Sequence, residues 1–477
     1  IRDTCNPQKI NIKNYSLFLA LQYILHISAL KLQQKLIIAK HRHLEFLYIK
    51  RLINPIMAQK LNSLAIKGIY TNLVQKRFYP QAEIMSQLLG FTNVDNQGQE
   101  GIELKFNKIL SGKNGVELVI ENGHNQIIKI IDDKIQQVSG KNIYLTINKQ
   151  LQYITYNALK NAVDKFKAKS GNVVIIKADT GEVLAMVSYP AFNPNNIQHF
   201  SRNMRNKTIT DSFEPGSTMK TFTIFNALKS KKYQVNSIID TGKGYWYFDH
   251  NTIHDDNANG KINLQQILDK SSNIGAAKIT LSLAKNSLLN TLKIFDFGSK
   301  TNIELPGEVQ AFVPYNRKHW HPIELATIAF GYGLSVTTLQ LAHAYSIIAN
   351  NGKNCKVHII KNNYLNCHQA INSNLANIML KLLQTVVQKG TGTRAKVANY
   401  QIAGKTGTAY IAKNGSYDHH NYTSSFVGII PINKIENRLV IAIVIHEPKT
   451  AHFGAIVAAP IFAKIAAQAM NFVFSES

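Results

Sequence analysis

The sequence predicts an α+β protein in which one antiparallel sheet, flanked by helices, is closed by distant parts of the chain and preceded by an extended α+β module. Three observations carry this expectation. Asn172–Ile176 and Val183–Val187 are short Val/Ile-rich runs joined by a Gly-containing turn, the pattern of a β-hairpin. Two further runs of the same kind, Ser424–Ile430 and Leu439–Ile445, come near the end of the chain. The residues between these two pairs carry mostly helix-like apolar spacing, which places helices over the faces of a shared sheet.

Size and composition set the limits. At 477 residues and 45% hydrophobic content the chain can bury a large core in two or more domains. Lys and Arg outnumber Asp and Glu by 54 to 28, a formal charge of +26. Such a balance raises nucleic acid or an anionic membrane as a partner. The cations are spread along the chain, however, and no helix-turn-helix or aromatic RNA platform accompanies them, so no nucleic-acid partner is expected. The abundance of Lys, Asn and Ile reads as a bias of the whole chain, and the basic surface suits anionic lipids or wall polymers. The three cysteines, Cys5, Cys355 and Cys367, form no C-x-x-C pattern, which argues against a zinc cage or a disulfide framework. Cys355 and Cys367 flank a short stretch and are compatible with a bridge in an oxidising compartment and equally with two free thiols.

Taken in order, residues 1 to about 70 read as Leu-, Ile- and Lys-rich helices ending near Asn54-Pro55 and Gly68. Leu17–Leu30 is too short and too interrupted, by Gln22, His26 and Ser28, to span a membrane, and reads as a core helix. Arg77-Phe-Tyr-Pro80 and the turn-rich segment Gly90–Glu103 follow. Val116–Ile120 and Ile127–Ile131 read as strands that complete a first module over residues 1–140. After Gly140 the composition shifts. Ile143–Ile147 reads as a strand and Lys149–Lys167 as a helix, then come the hairpin, the helical middle and the two late strands, and an Ala-rich helix over about Ala455–Phe472 closes a second domain, residues 141–477.

The stretch Glu214-Pro-Gly-Ser-Thr-Met-Lys-Thr-Phe222 sets a serine and a lysine three residues apart where a helix should begin. Pro215 suits a first helical turn, and Met219, Phe222 and Ile224 give the helix a buried side. Ser217 therefore sits near a helix N-terminus, where backbone N–H groups favour the negative charge that a serine creates on attacking a carbonyl. Lys220 falls on the same face, and burial would lower its pKa and make it a base. Ser-x-x-Lys alone is weak, since Ser28…Lys31 and Ser282…Lys285 repeat it without a Pro-Gly start. Downstream lie Lys270-Ser271-Ser272-Asn273-Ile274-Gly275 and Ala403-Gly-Lys-Thr-Gly-Thr408, the second just before a predicted strand. Gly407, without a Cβ, would let a substrate backbone come close. Ser-x-x-Lys, Ser-x-Asn and Lys-Thr-Gly in this order are the signature of penicillin-recognising serine enzymes.

On these motifs the chain resembles the class B penicillin-binding proteins, and specifically the division-associated peptidoglycan D,D-transpeptidases of the FtsI type. Phe330-Gly-Tyr-Gly333, Gly390-Thr-Gly392, Arg77–Pro80 and the Gly90–Glu103 segment extend the likeness over nearly the whole chain, and Asn273 favours the division type over the elongation type. The resemblance implies that Ser217 attacks the D-Ala-D-Ala carbonyl, with Lys220 as general base, Ser271 as proton relay to the leaving D-alanine, and Asn273 holding the substrate amide and Lys220. It further implies that Lys405, Thr406 and Thr408 bind the terminal carboxylate, that Ser217 and Thr408 N–H groups form the oxyanion hole, and that Tyr332 and Gly333 lie beside the site. Stem peptides and β-lactams are the expected ligands, and a septal glycosyltransferase and other division proteins the expected partners. The expected place is the periplasmic face of the inner membrane, with membrane attachment through an anchor outside this chain and no metal or organic cofactor. A β-lactamase and a penicillin-sensing scaffold share the motifs and are told apart by turnover. His250…His254-Asp255-Asp256 reads as a surface hairpin rather than a metal site.

Overall fold

Asparagine starts many of the helices. Asn14, Asn54, Asn148, Asn263 and Asn372 each stand just before a helix and accept through Oδ1 from a backbone N–H of its first turn. The compositional bias is thus put to structural use, since the first N–H groups of a helix have no partner within it. The structure is a computed structural model and describes residues 2–121, 127–197, 201–361, 365–413 and 416–473.

Packing divides the chain into two units, residues 1–79 with 92–97, and residues 80–91 with 98–477. The smaller unit is mixed, not the all-helical segment that its Leu/Lys pattern predicts. Strand β1 (Arg2–Cys5) lies between β2 (Leu47–Lys50) and β3 (Ile69–Asn72), with helices α1 (Tyr15–Leu25), α2 (Ala29–His41) and α3 (Pro55–Ser63) between them in sequence. The Leu17–Leu30 stretch is broken: His26 takes the left-handed conformation at the end of α1, and Ser28 caps α2 by accepting from Lys31 N–H. Phe18, Leu21 and Leu25 are buried on α1.

In the larger unit β4 (Val116–Glu121) pairs with β5 (Ile127–Ile135) as a two-stranded ribbon. The predicted strand at Ile143–Ile147 does not form. Among the described residues one bridge, Leu145 to Ile360, is all the sheet pairing it makes, and its apolar alternation records side chains leaning on the core. Helix α4 (Lys149–Lys165) leads into β6 (Ser170–Lys177) and β7 (Val183–Tyr189), the predicted hairpin. Helix α5 (Lys220–Lys229) follows, then β8 (Ile238–Asp240), the hairpin β9 (Tyr245–Phe248) with β10 (Asn251–His254), β11 (Lys261–Asn263), α6 (Leu264–Lys270) and α7 (Asn273–Ser282). Helix α8 (Thr338–Ala349), the short pair β12 (Lys353–Cys355) and β13 (Cys367–Gln369), and α9 (Ser373–Lys389) precede β14 (Ala403–Lys413), β15 (Ser416–Ile430), β16 (Leu439–His446) and α10 (Ala459–Val473). Cys355 and Cys367 face each other across β12 and β13 and are joined by a disulfide.

The central sheet runs β14-β15-β16-β6-β7, all antiparallel, so β16 near the end of the chain is the neighbour of β6. Its central strands read as unbroken apolar runs because both faces are covered. Val174, Ile176, Val440, Ala442 and Val444 join one core, and Val173, Ile175, Ile441, Ile443 and Ile445 the other. Helices α4 and α10 pack on the second face, and α5, α8 and α9 contribute to the first. The stretch Gly454–Asn471 is long and apolar enough by composition to cross a membrane, but 56% of it is buried. Phe462 alone packs 5.0 Å from Phe426 of β15.

Helix α5 is buried nearly all round, and its polar Thr221, Thr223 and Asn226 find hydrogen-bond partners inside the core. Phe222 has no exposed surface and meets Phe295, Phe297 and Tyr345 edge to face at 4.8, 4.8 and 5.4 Å. The Phe222→Ala variant should therefore lose about 3–5 kcal/mol of stability, read as a lower midpoint in a denaturant titration.

Candidate active site

The turn that carries Ser217 begins at Pro215, whose φ of −71° starts a 3-10 turn, Gly216–Met219, that runs directly into α5. In a 3-10 turn residues i and i+3 eclipse, which stacks Lys220 on Ser217. The amine Nζ lies 2.9 Å from Ser217 Oγ. Thr218 Oγ1 donates to Pro215 O at 2.9 Å, and Tyr345 OH donates to Thr218 O at 2.8 Å, so the turn is fixed from within the core.

Lys220 is buried, and its pKa falls to about 7, mainly through loss of solvation and against the pull of Asp255 and Asp256. Its remaining contacts are Ser271 O at 2.5 Å and Ser271 Oγ at 3.2 Å. A neutral amine has two N–H donors and one lone pair. Donating both to Ser271 leaves the lone pair facing the Ser217 hydroxyl, the arrangement a base requires. Lys405 Nζ approaches the same Ser271 Oγ at 2.9 Å and also lies 3.4 Å from Thr406 Oγ1. Burial first, and then the neighbouring Lys220, hold the Lys405 pKa well below the usual lysine value. With both lone pairs of Ser271 Oγ engaged by amines, its own proton is free to be given away.

Ser271 reaches this position in the left-handed conformation, φ 59° and ψ 42°, between α6 and α7. Asn273, the first residue of α7, points its amide to His254 O at 2.8 Å and not to Lys220. The expected Asn273–Lys220 contact is thus replaced by the Ser271 carbonyl, which lies closer to the amine. On the other side of the site Thr391 N–H donates to Asp269 O at 3.0 Å, and Thr391 and Thr406 share a hydrogen bond of 2.9 Å, which ties the Gly390–Gly392 loop to both motifs.

The Lys-Thr-Gly motif lies within β14, the edge strand, and not just before a strand as its sequence suggests. The Thr408 hydroxyl oxygen accepts from Gly454 N–H at 3.0 Å and keeps its proton to donate. At Gly407 packing alone demands a glycine. A Cβ there would stand 2.2 Å from Ser425 Oγ and 2.9 Å from Pro215 O, so β15 and the Ser217 turn occupy the space. Gly331 makes the matching contact from the other side, where a Cβ would meet Gly216 O at 2.1 Å. Tyr332 OH accepts from Tyr410 N–H at 3.1 Å, and Gly333 N–H donates to Glu214 Oε1 at 2.8 Å. Burial raises the Glu214 carboxyl pKa, against the Gly333 and Tyr417 hydrogen bonds.

Ser217, Lys220, Ser271 and Lys405 are thus in direct contact, with Thr406 on Lys405, Gly407 against the turn, and Thr408 one residue further along the strand. Asn273, Tyr332 and Gly333 border this group. Sequence reasoning passed over Asp255, which binds the start of α7, because only the fold brings it there. Among the described residues no three His, Cys, Asp or Glu side chains gather as a metal-binding group. The His250–Asp256 stretch is indeed a hairpin and its end.

Residues 171–467 match the family model described as the penicillin binding protein transpeptidase domain, and residues 4–145 the penicillin-binding protein dimerisation domain. The chain is 39% identical over 430 residues to the probable peptidoglycan D,D-transpeptidase PbpC of Pseudomonas aeruginosa, covering 89% of this chain and 76% of that one. It is 35% identical over 425 residues to the peptidoglycan D,D-transpeptidase FtsI of Escherichia coli K12, covering 88% and 71%. Among solved structures, penicillin-binding protein 3 of Mycobacterium tuberculosis complexed with ampicillin superposes with a TM-score of 0.74 at 26% identity, covering 85% of this chain and 90% of that one.

The crowding at Gly407 gives a direct test. Gly407→Ala should cost about 1–3 kcal/mol of stability, the usual penalty for forcing atoms into a packed site, measured by denaturant titration beside the parent protein.

Proposed function

Because this chain belongs to the class B penicillin-binding proteins, the family of the peptidoglycan D,D-transpeptidases, we propose that it cross-links stem peptides by serine acyl transfer and is acylated by penicillins at Ser217. The observation that carries the reading is the Lys220 amine, buried at 2.9 Å from Ser217 Oγ with both of its N–H donors placed on Ser271.

In the first step Ser217 Oγ bonds to the carbonyl carbon between the two terminal D-alanines while its proton passes to Lys220 Nζ. Backbone N–H groups of Ser217 and Thr408 receive the developing oxyanion. Lys220 then protonates Ser271, which gives its own proton to the departing amine as the C–N bond breaks, leaving an ester on Ser217. Lys405, with Thr406 and Thr408, holds the terminal carboxylate, and that negative charge favours the protonated form of Lys405. Asn273 orients the substrate amide. In the second step an amine of a neighbouring stem attacks the ester carbon, loses a proton back through the same groups, and frees Ser217.

Residues 141–477 carry this chemistry and residues 1–140 form a non-catalytic pedestal. The FtsI names among the relatives favour work at the division septum, on the periplasmic face of the inner membrane beside a glycosyltransferase.

Intact mass after incubation with a penicillin tests the nucleophile. One stable adduct on the parent protein and none on Ser217→Ala is the expected outcome, and an adduct on both variants would discard the assignment. Rapid release of penicilloate would point to a β-lactamase instead. A second test is the pH profile. Only the neutral amine accepts a proton, and its pKa is lowered to about 7. The acylation rate should therefore be level above that pH and fall about tenfold per unit below it. A rate that stays flat well below neutrality would remove Lys220 as the base.

A further inference from the structure

The hairpin β9–β10 has no part in the steps above, yet it grips the loop on which they depend. Trp246 stacks on Phe248 at 4.6 Å, Lys278 of α7 sits over the Trp246 ring at 5.0 Å, and Ile253 is buried beneath. The hairpin ends in His254-Asp255. One carboxylate oxygen of Asp255 accepts from Asn273 N–H at 2.6 Å and from Ile274 N–H at 3.0 Å. The other accepts from the Ser272 hydroxyl at 2.5 Å. Ser272 Oγ in turn caps α7 by accepting from Gly275 N–H at 2.9 Å, and His254 O takes the Asn273 amide. Asp255 is itself held by its own N–H, which donates to Gly244 O at 2.9 Å, and by Asn259 Nδ2 at 3.4 Å.

Three consecutive residues, 272 to 274, are thus fastened to one carboxylate, immediately after Ser271. That serine is in a conformation that non-glycine residues keep only when their surroundings dictate it. Hydrogen bonds to an ionised carboxylate are about twice as strong as neutral ones. We propose that Asp255 is a positioning residue for acyl transfer, clamping the start of α7 so that Ser271 stays left-handed with both its oxygens on the Lys220 amine. The proposal rests on the acyl-transfer reading. The charged and polar groups around Lys220 are Ser217, Ser271, Lys405 from β14, and Asp255 and Asp256 from the hairpin. Asp255 favours the protonated amine there. Its removal should therefore act twice, on geometry and on charge.

The test measures the second-order rate of acylation by a fluorescent penicillin across pH, for the parent, Asp255→Ala and Asp255→Asn, with thermal melts alongside. Asp255→Ala should lower the level part of the profile on the order of 10²-fold, the cost of a misplaced reacting group. Asp255→Asn keeps an oxygen for the two backbone N–H groups and should restore most of that loss. In both variants the fall at low pH should move to lower pH, since the charge that favours protonated Lys220 is gone. A parental rate and profile in both variants overturns the clamp. So does an equal loss in both with the profile unmoved, which a purely structural role would give. If Asp255→Ala does not fold, Asp255→Asn still decides through the profile. A parent protein that is not acylated sinks the acyl-transfer reading itself, and the clamp with it.

Discussion

The constraint on which the rest of the site depends is the burial of an amine that must stay uncharged. A lysine amine taken out of water has to lose its proton or find an opposite charge. Among the described residues no carboxylate hydrogen-bonds to Lys220: the amine's partners are two serines, so the neutral form is the one the structure suits. Much of the local architecture follows from supplying those partners. Ser271 gives up an ordinary backbone conformation so that its carbonyl and hydroxyl both reach the amine, and the 3-10 turn at Gly216–Met219 brings Ser217 to the third side. Phe222, two residues along α5 from the lysine, is wedged among Phe295, Phe297 and Tyr345, which anchors the start of the helix.

A second amine in the same pocket sharpens this. Lys405 shares Ser271 Oγ with Lys220, which disfavours a charge on Lys405. Burial and the neighbouring amine both disfavour a charge on Lys405, so the pocket suits an incoming negative group.

The parts legible in the sequence were those written as unbroken patterns. The four main strands of the sheet other than β14 stood out because both faces are buried, making Val173–Ile176 and Val440–Ile445 continuous apolar runs. The three motifs were legible because each is short and local. Ile143–Ile147 misled because its alternation reports side-chain burial, which needs no ladder. The strands of the small unit were missed because each is only four residues long, and the central one, Arg-Asp-Thr-Cys, carries no apolar alternation. Gly407 was singled out for an absent Cβ, but its neighbours, Pro215 and Ser425, come from parts of the chain that no local pattern relates to it. Asp255 lay in view as part of an apparent ligand cluster, and only the hairpin's path shows that its target is the backbone of residues 273 and 274.

The sheet order carries a consequence for biosynthesis. Strand β6 is made early in the catalytic region, but its partner on one side, β16, is made only after the helical middle, β14 and β15, and those two strands can join the sheet only through it. A nascent chain therefore holds Ser217 and Lys220 long before it has the strand that bears Lys405. The contacts that complete the site span most of the catalytic sequence, a topology that folds slowly and late. A product interrupted before β14 would carry Ser217 and Lys220 without Lys405 beside them.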